Sequence, residues 1–161
     1  MERKIVHVVG TGTIGEPLIG ILCEQKSNLG IDEVTFHKQS PLTKDAPKIK
    51  NLIAKGARLA VHEDRIENFK EIGLEPEFTM EEAVSRSSVV IDCTPKGFGH
   101  QNKLDFYEKY ADKVKGFLAQ GSENGFGKKY ARGINDHVIN SEDQFLHCLL
   151  YTSPSPRDWT I

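Results

Sequence analysis

Cysteine, surplus charge and long apolar runs are all scarce in this chain, and each scarcity excludes a class of function. The 161 residues include three cysteines, Cys23, Cys93 and Cys148, an odd number with wide spacing and no C-x-x-C pair. That pattern builds neither a disulfide framework nor a zinc knuckle, and it fits a reducing, cytoplasmic compartment. The six histidines, at positions 7, 37, 62, 100, 137 and 147, never fall at H-x-x-x-H spacing, so no metal site is expected. Net charge is −2, which gives no basic field for nucleic acid or for a membrane surface. The opening Met1-Glu2-Arg3-Lys4 leads into an apolar stretch too short for a signal-peptide core, and no other stretch approaches a membrane span. What remains is an ordinary soluble composition, 38% hydrophobic and 27% charged, at a length that suits one well-buried domain.

Strand-like and helix-like segments alternate along the chain. Strands are expected at Lys4–Val9, Val34–Phe36, Leu59–Val61, Val89–Ile91 and Gly116–Ala119. Between them, Ile14, Leu18, Ile21 and Leu22 fall on one helical face. Ile49, Leu52 and Ile53 suggest a helix stopped at Gly56, and further helices are expected through Ile66 and Phe69, at Met80–Arg86, and through Leu104, Tyr107 and Ala111. Such alternation predicts an α/β fold of Rossmann type, a doubly wound, mainly parallel sheet with right-handed crossovers. Beyond Ala119 the pattern dissolves. The run Cys148–Asp158 carries two prolines and two serines in four residues and continues neither a helix nor a central strand.

The most informative stretch is Gly10-Thr11-Gly12-Thr13-Ile14-Gly15, a G-x-G-x-x-G between a strand and a helix. In that setting Gly10 makes the turn, Gly12 lets a pyrophosphate approach the backbone, and Gly15 lets the helix pack on the strand. The helix N-terminus then offers N–H groups and a positive dipole end to phosphate. Ligands of doubly wound sheets sit beyond the strands' carboxyl ends. That rule selects the glycine loop, His37–Ser40, Cys93–Gly97 and Gln120–Ser122. After the second strand an NAD enzyme usually carries an acid; here Asp32 and Glu33 precede the strand and Lys38 follows it. A lysine there suits a 2′-phosphate, and so NADP. Cys93 reads as a small core residue, Glu81 and Glu82 as helix-start charges, and Phe106, Tyr107 and Tyr110 as packing. His100 and His147 have nothing nearby in sequence to orient them as acid or base.

Taken together, the glycine loop, Lys38 with Pro41, Asp92-Cys93-Thr94-Pro95-Lys96-Gly97-Phe98-Gly99 with Asn102-Lys103, and Gln120-Gly121-Ser122-Glu123 resemble the N-terminal part of type II, archaeal-type glyceraldehyde-3-phosphate dehydrogenase. The resemblance covers residues 3 to 147. It implies an NADP or NAD cofactor near Gly10, Gly12, Thr13, Ile14, Gly15, Lys38, Thr94, Pro95, Gly121 and Ser122. It also implies a homo-oligomeric full-length parent. The family's Gln-Gly-Gly segment is Gln120-Gly121-Ser122 here, and its catalytic S-C-N-T does not occur. After His147 the chain reads Cys148-Leu149-Leu150-Tyr151, so no catalytic residue is assigned. Residues 1–147 are therefore expected to form the nucleotide-binding domain, truncated before the catalytic motif, and 148–161 a non-native or disordered tail. Another semialdehyde-type dehydrogenase domain and a stand-alone nucleotide-sensing module stay open as alternatives.

Overall fold

A computed structural model describes residues 3–120 and 124–149. Among these residues eight strands form one parallel sheet: β1 (Ile5–Val9), β2 (Glu33–His37), β3 (Ala57–Val61), β4 (Phe78–Thr79), β5 (Val89–Asp92), β6 (Gly116–Gln120), β7 (Lys128–Tyr130) and β8 (Phe145–Cys148). Their order is β4-β3-β2-β1-β5-β6-β8-β7. The chain winds outward from β1 to β4, returns to β5 on the other side of β1, runs out through β6 to β7, and comes back to insert β8 between them. The point of return lies between β1 and β5, where Val6–Val9 pair with Val89–Asp92. This is the Rossmann-type architecture, and its crevice opens there.

The helices are α1 (Gly15–Glu24), α2 (Lys26–Leu29), α3 (Ala46–Ala54), α4 (Ile66–Glu71), α5 (Met80–Ser85) and α6 (Phe98–Asp105). They cover both faces of the sheet. Val8 belongs to one apolar cluster, with Ile19 of α1, Ile49 and Leu52 of α3, and Phe69 of α4. Its neighbour Val9 belongs to another, with Met80 and Val84 of α5, Tyr107, Phe117 and Phe126. Adjacent strand residues point to opposite faces, so the two clusters lie on opposite sides of the sheet. The stop read at Gly56 operates here, and Glu82, read as a helix-start charge, does more than meet a dipole. Thr79 and Glu82 form a capping box at the start of α5, and Gly56 sits at φ +96 just past α3. Among the described residues no helix is long and apolar enough to cross a membrane.

Three local expectations change. The inward row of α1 is Gly15, Ile19 and Leu22, at i, i+4 and i+7, while Ile14 and Ile21 face outward. The helix expected around Tyr107 begins earlier, at Phe98, and ends at Asp105, and Tyr107–Tyr110 form a separate 3-10 turn. The region beyond Gln120 supplies β7 and β8, and Cys148 is the last residue of β8.

At the amino-terminal end of β2, Glu33 is buried and receives Arg86 at 2.6 Å, Arg3 at 3.0 Å and Arg58 at 3.4 Å. Arg86 also lies over the Phe78 ring, 4.4 Å from its centroid. This cluster ties β1, β2, β3 and the end of α5 together, far from the strands' carboxyl ends.

Two buried histidines make stability depend on pH. His7 Nδ1 shares a 2.7 Å hydrogen bond with Thr35 Oγ1, and burial pulls its pKa from 6.5 down to about 3. His37 is also pulled to about 3, by burial first and then by His7, His62 and Lys38 around it. Both rings are neutral in the folded protein and regain an ordinary pKa near 6.5 when it unfolds. Between those values the unfolded chain holds more protons. Stability is thus complete above the unfolded pKa and is lost as the pH falls toward the folded one, by up to about 2.7 kcal/mol per unit if both rings titrate together. Urea midpoints measured from neutral pH to about pH 4.5 should fall steadily. A flat midpoint across that window would show that neither ring is held neutral.

Candidate functional site

The loop between β1 and α1 is built by its glycines. Gly10 has φ +97, and a Cβ on it would lie 3.1 Å from the Cys93 carbonyl oxygen. A Cβ on Gly15 would fall 2.0 Å from the Gly10 carbonyl oxygen, a distance no side chain tolerates. Gly12 differs from both. A Cβ there would meet nothing within 4 Å, and its φ lies outside the left-handed region. The chain's own packing therefore requires glycine at 10 and 15 but leaves the space above Gly12 open.

That space is part of a cleft of about 670 Å³ at the carboxyl ends of the strands. Gly10, Thr11, Gly12, Thr13 and Ile14 line it from the loop after β1, and Lys38 and Gln39 from the end of β2. Cys93, Thr94, Pro95 and Lys96 line it from the loop after β5, and Gln120 from the end of β6. Eight residues singled out in the sequence thus gather here: seven on the cleft wall, and Gly15 directly behind the loop. Gly121 and Ser122 lie outside the described residues. At the start of α1 the Ile14 side chain makes no capping bond, so the helix end meets the cleft without a side-chain cap.

Asp45 was not visible as a site residue in the sequence. It lines the cleft from the end of a 3-10 turn, Thr43–Asp45, that folds back over the mouth of β2. Lys38 Nζ donates to Asp45 Oδ2 at 2.7 Å, with the two side chains 16% and 20% exposed. This hydrogen bond, with Lys48 and Lys44 nearby, holds the Asp45 carboxyl below its usual range. Lys48 is itself engaged by Glu16 at 2.8 Å. Although Asp45 directly precedes α3, its carboxylate makes no capping bond to that helix.

The loop after β5 is fixed by Asp92, which is 1% exposed. One carboxylate oxygen accepts the Thr94 backbone N–H at 2.9 Å and the Thr94 hydroxyl. The other accepts Asn102 Nδ2 at 2.9 Å and the Tyr107 hydroxyl at 2.6 Å. Two donors on each oxygen fill the capacity of a carboxylate. The sequence signal for this network was an acid closing an apolar strand, followed ten residues later by Asn102.

Comparison with known proteins gives the site its context. No protein-family profile matches the chain. A glyceraldehyde-3-phosphate dehydrogenase of Pyrobaculum islandicum is 30% identical over 120 residues, 73% of this chain and 31% of that protein. One from Methanobacterium formicicum is 34% identical over 149 residues, 82% of this chain and 41% of that protein. One from Methanopyrus kandleri is 42% identical over 73 residues, 42% of this chain and 20% of that protein. Over most of its own length the chain is thus similar to archaeal glyceraldehyde-3-phosphate dehydrogenases. It spans between a fifth and two fifths of the length of these curated relatives.

Relatives that are dehydrogenases direct attention to the thiols. Cys93 is pushed up to about 12 by burial and by the charge of Asp92 beside it. Burial also raises the Cys148 thiol. A thiol made into a nucleophile is shifted the other way, so neither cysteine has the environment of one. The remaining motif residue, Lys103, donates to the Phe126 carbonyl at 2.8 Å and lies 4.6 Å over the Phe145 ring. It fastens α6 to β8 rather than facing the cleft.

Proposed function

We propose that this chain is the nucleotide-binding part of a phosphorylating glyceraldehyde-3-phosphate dehydrogenase and that its cleft takes NADP or NAD. The observation that carries the reading is the open space at Gly12 between two glycines that the chain's own packing demands. A pyrophosphate there would meet the loop backbone, with Thr13 and Ile14 beside it, and the start of α1. The adenosine ribose would lie at the end of β2, where Lys38 favours a 2′-phosphate and hence NADP. Thr94 and Pro95 would border the nicotinamide half; Gly121 and Ser122, proposed as cofactor contacts from the family resemblance, lie outside the described residues. The nicotinamide ring supplies hydride transfer when bound; these residues supply position.

In this reading the binding unit is residues 1–147 together with Cys148, which closes β8 beside Gln120 and Tyr130. The compartment is cytoplasmic. The parent is a homo-oligomer, and nucleic acid and membrane are not partners. The chain as given binds without turning over, because it contains no Ser-Cys-Asn-Thr and both thiols near the cleft end of the sheet are held protonated. Calorimetric titration should show one saturable site for NADP and for NAD, with NADP the tighter. An assay with glyceraldehyde 3-phosphate, phosphate and NADP should stay at the buffer rate. No binding heat with either nucleotide would remove the proposal. Turnover that vanishes in Cys148→Ala would make that thiol a nucleophile and overturn the reading of the chain as binding only.

A further inference from the structure

We infer that Asp45 sets cofactor choice by competing with the 2′-phosphate of NADP for Lys38. The inference rests on the proposed nucleotide cleft. Four observations carry it. Among the described residues Asp45 is ion-paired with Lys38, at 2.7 Å, while neighbouring Lys48 is held by Glu16. Both members of the pair line the cleft. The pair is largely sheltered from solvent, where it is screened less than a surface contact. And the Asp45 carboxylate makes no capping hydrogen bond to the helix it precedes.

The chemistry follows from charge. A phosphate on the ribose needs Lys38, and Lys38 is already neutralised. NADP must draw the ammonium away from Asp45, and it leaves a carboxylate beside the phosphate dianion. A ribose with a free 2′-hydroxyl makes no such demand. It can donate to Asp45 while Lys38 stays in place, the role that an acid at the end of the second strand has in NAD-binding sheets. The acid reaches that place from the turn before α3 instead of from the strand itself. Lys38 and Asp45 together therefore admit both nucleotides and narrow the margin between them.

Titration of NADP and NAD against the parent chain, Asp45→Asn, Asp45→Glu and Lys38→Ala tests this. Asp45→Asn should tighten NADP by about five- to tenfold and weaken NAD by severalfold. Asp45→Glu, which keeps the charge, should return the ratio toward that of the parent. Lys38→Ala should weaken NADP by about tenfold and leave NAD nearly unchanged. A merely structural Asp45 would change the melting temperature and move both affinities together, and that result overturns the inference. An unchanged ratio in Asp45→Asn, with the parent binding both nucleotides, overturns it and leaves the cleft assignment standing. A parent that binds neither nucleotide overturns both.

Discussion

Gly12→Val should abolish dinucleotide binding and leave the melting temperature where it is. The two halves of this expectation come from the same measurement of space. A Cβ at Gly12 meets no protein atom within 4 Å and needs no unusual backbone angle, so the folded chain accommodates valine. An exposed substitution with no clash costs within about 0.5 kcal/mol. The same open space is where a pyrophosphate would approach the loop, and valine places a branched side chain in it. Binding should weaken by on the order of a hundredfold or more, about 2.7 kcal/mol. Gly15→Ala supplies the contrast. Its Cβ would fall 2.0 Å from the Gly10 carbonyl oxygen, so it should damage the fold itself. Calorimetry paired with thermal melts separates the two effects. If Gly12→Val binds NADP as tightly as the parent, the pyrophosphate does not lie over this loop.

Asp92→Ala should be strongly destabilising. It removes the acceptor of four donors at once, among them the hydroxyl of Tyr107, which is fully buried and stacked on Phe117 at 5.2 Å. The Tyr107 hydroxyl left behind cannot turn to water. Losing the buried partner of such a network costs about 3–5 kcal/mol. For a domain of this size that lowers the melting temperature by about 10 °C or more. Nucleotide affinity should fall as well, since Thr94 is held to the cleft wall through Asp92. The pair with Tyr107→Phe tests the assignment. In the parent, Tyr107→Phe removes a made hydrogen bond; in Asp92→Ala it removes a hydroxyl that has already lost its acceptor. The second cost should be the smaller. Strictly additive costs would show that the two side chains do not share a bond.

How far the sequence revealed this molecule depended on how local each signal was. The glycine loop could be read because its three glycines serve one turn within six residues. β1, β2, β3, β5 and β6 could be read because they are buried in the sheet and carry apolar runs. β4 was missed because it has two residues, and β7 because Lys128 and Lys129 are exposed on it. The inward face of α1 was rotated in the sequence reading because apolar residues at Ile14 and Ile21 satisfied the periodicity equally well, while the buried row includes Gly15 and Gly20, which carry no apolar signal. Asp45 was out of reach for a different reason. Nothing in its immediate sequence marks it, and its meaning comes from a turn that folds back on Lys38. Asp92 was quoted as part of a motif, but its role as an anchor depends on Tyr107, fifteen residues on, in a turn that periodicity assigned to a continuous helix.

The strands at the two ends of the sheet carry a last consequence. Among the described residues β4 and β7 occupy the ends, with two and three residues, and β7 presents exposed lysines. Short, charged borders offer a neighbouring chain few backbone groups to pair with. The long, apolar strands that would template such pairing are all enclosed between them. This domain is thereby protected from growing into fibrils by strand addition, and concentrated solutions of it should stay free of thioflavin-binding aggregates while the native sheet holds.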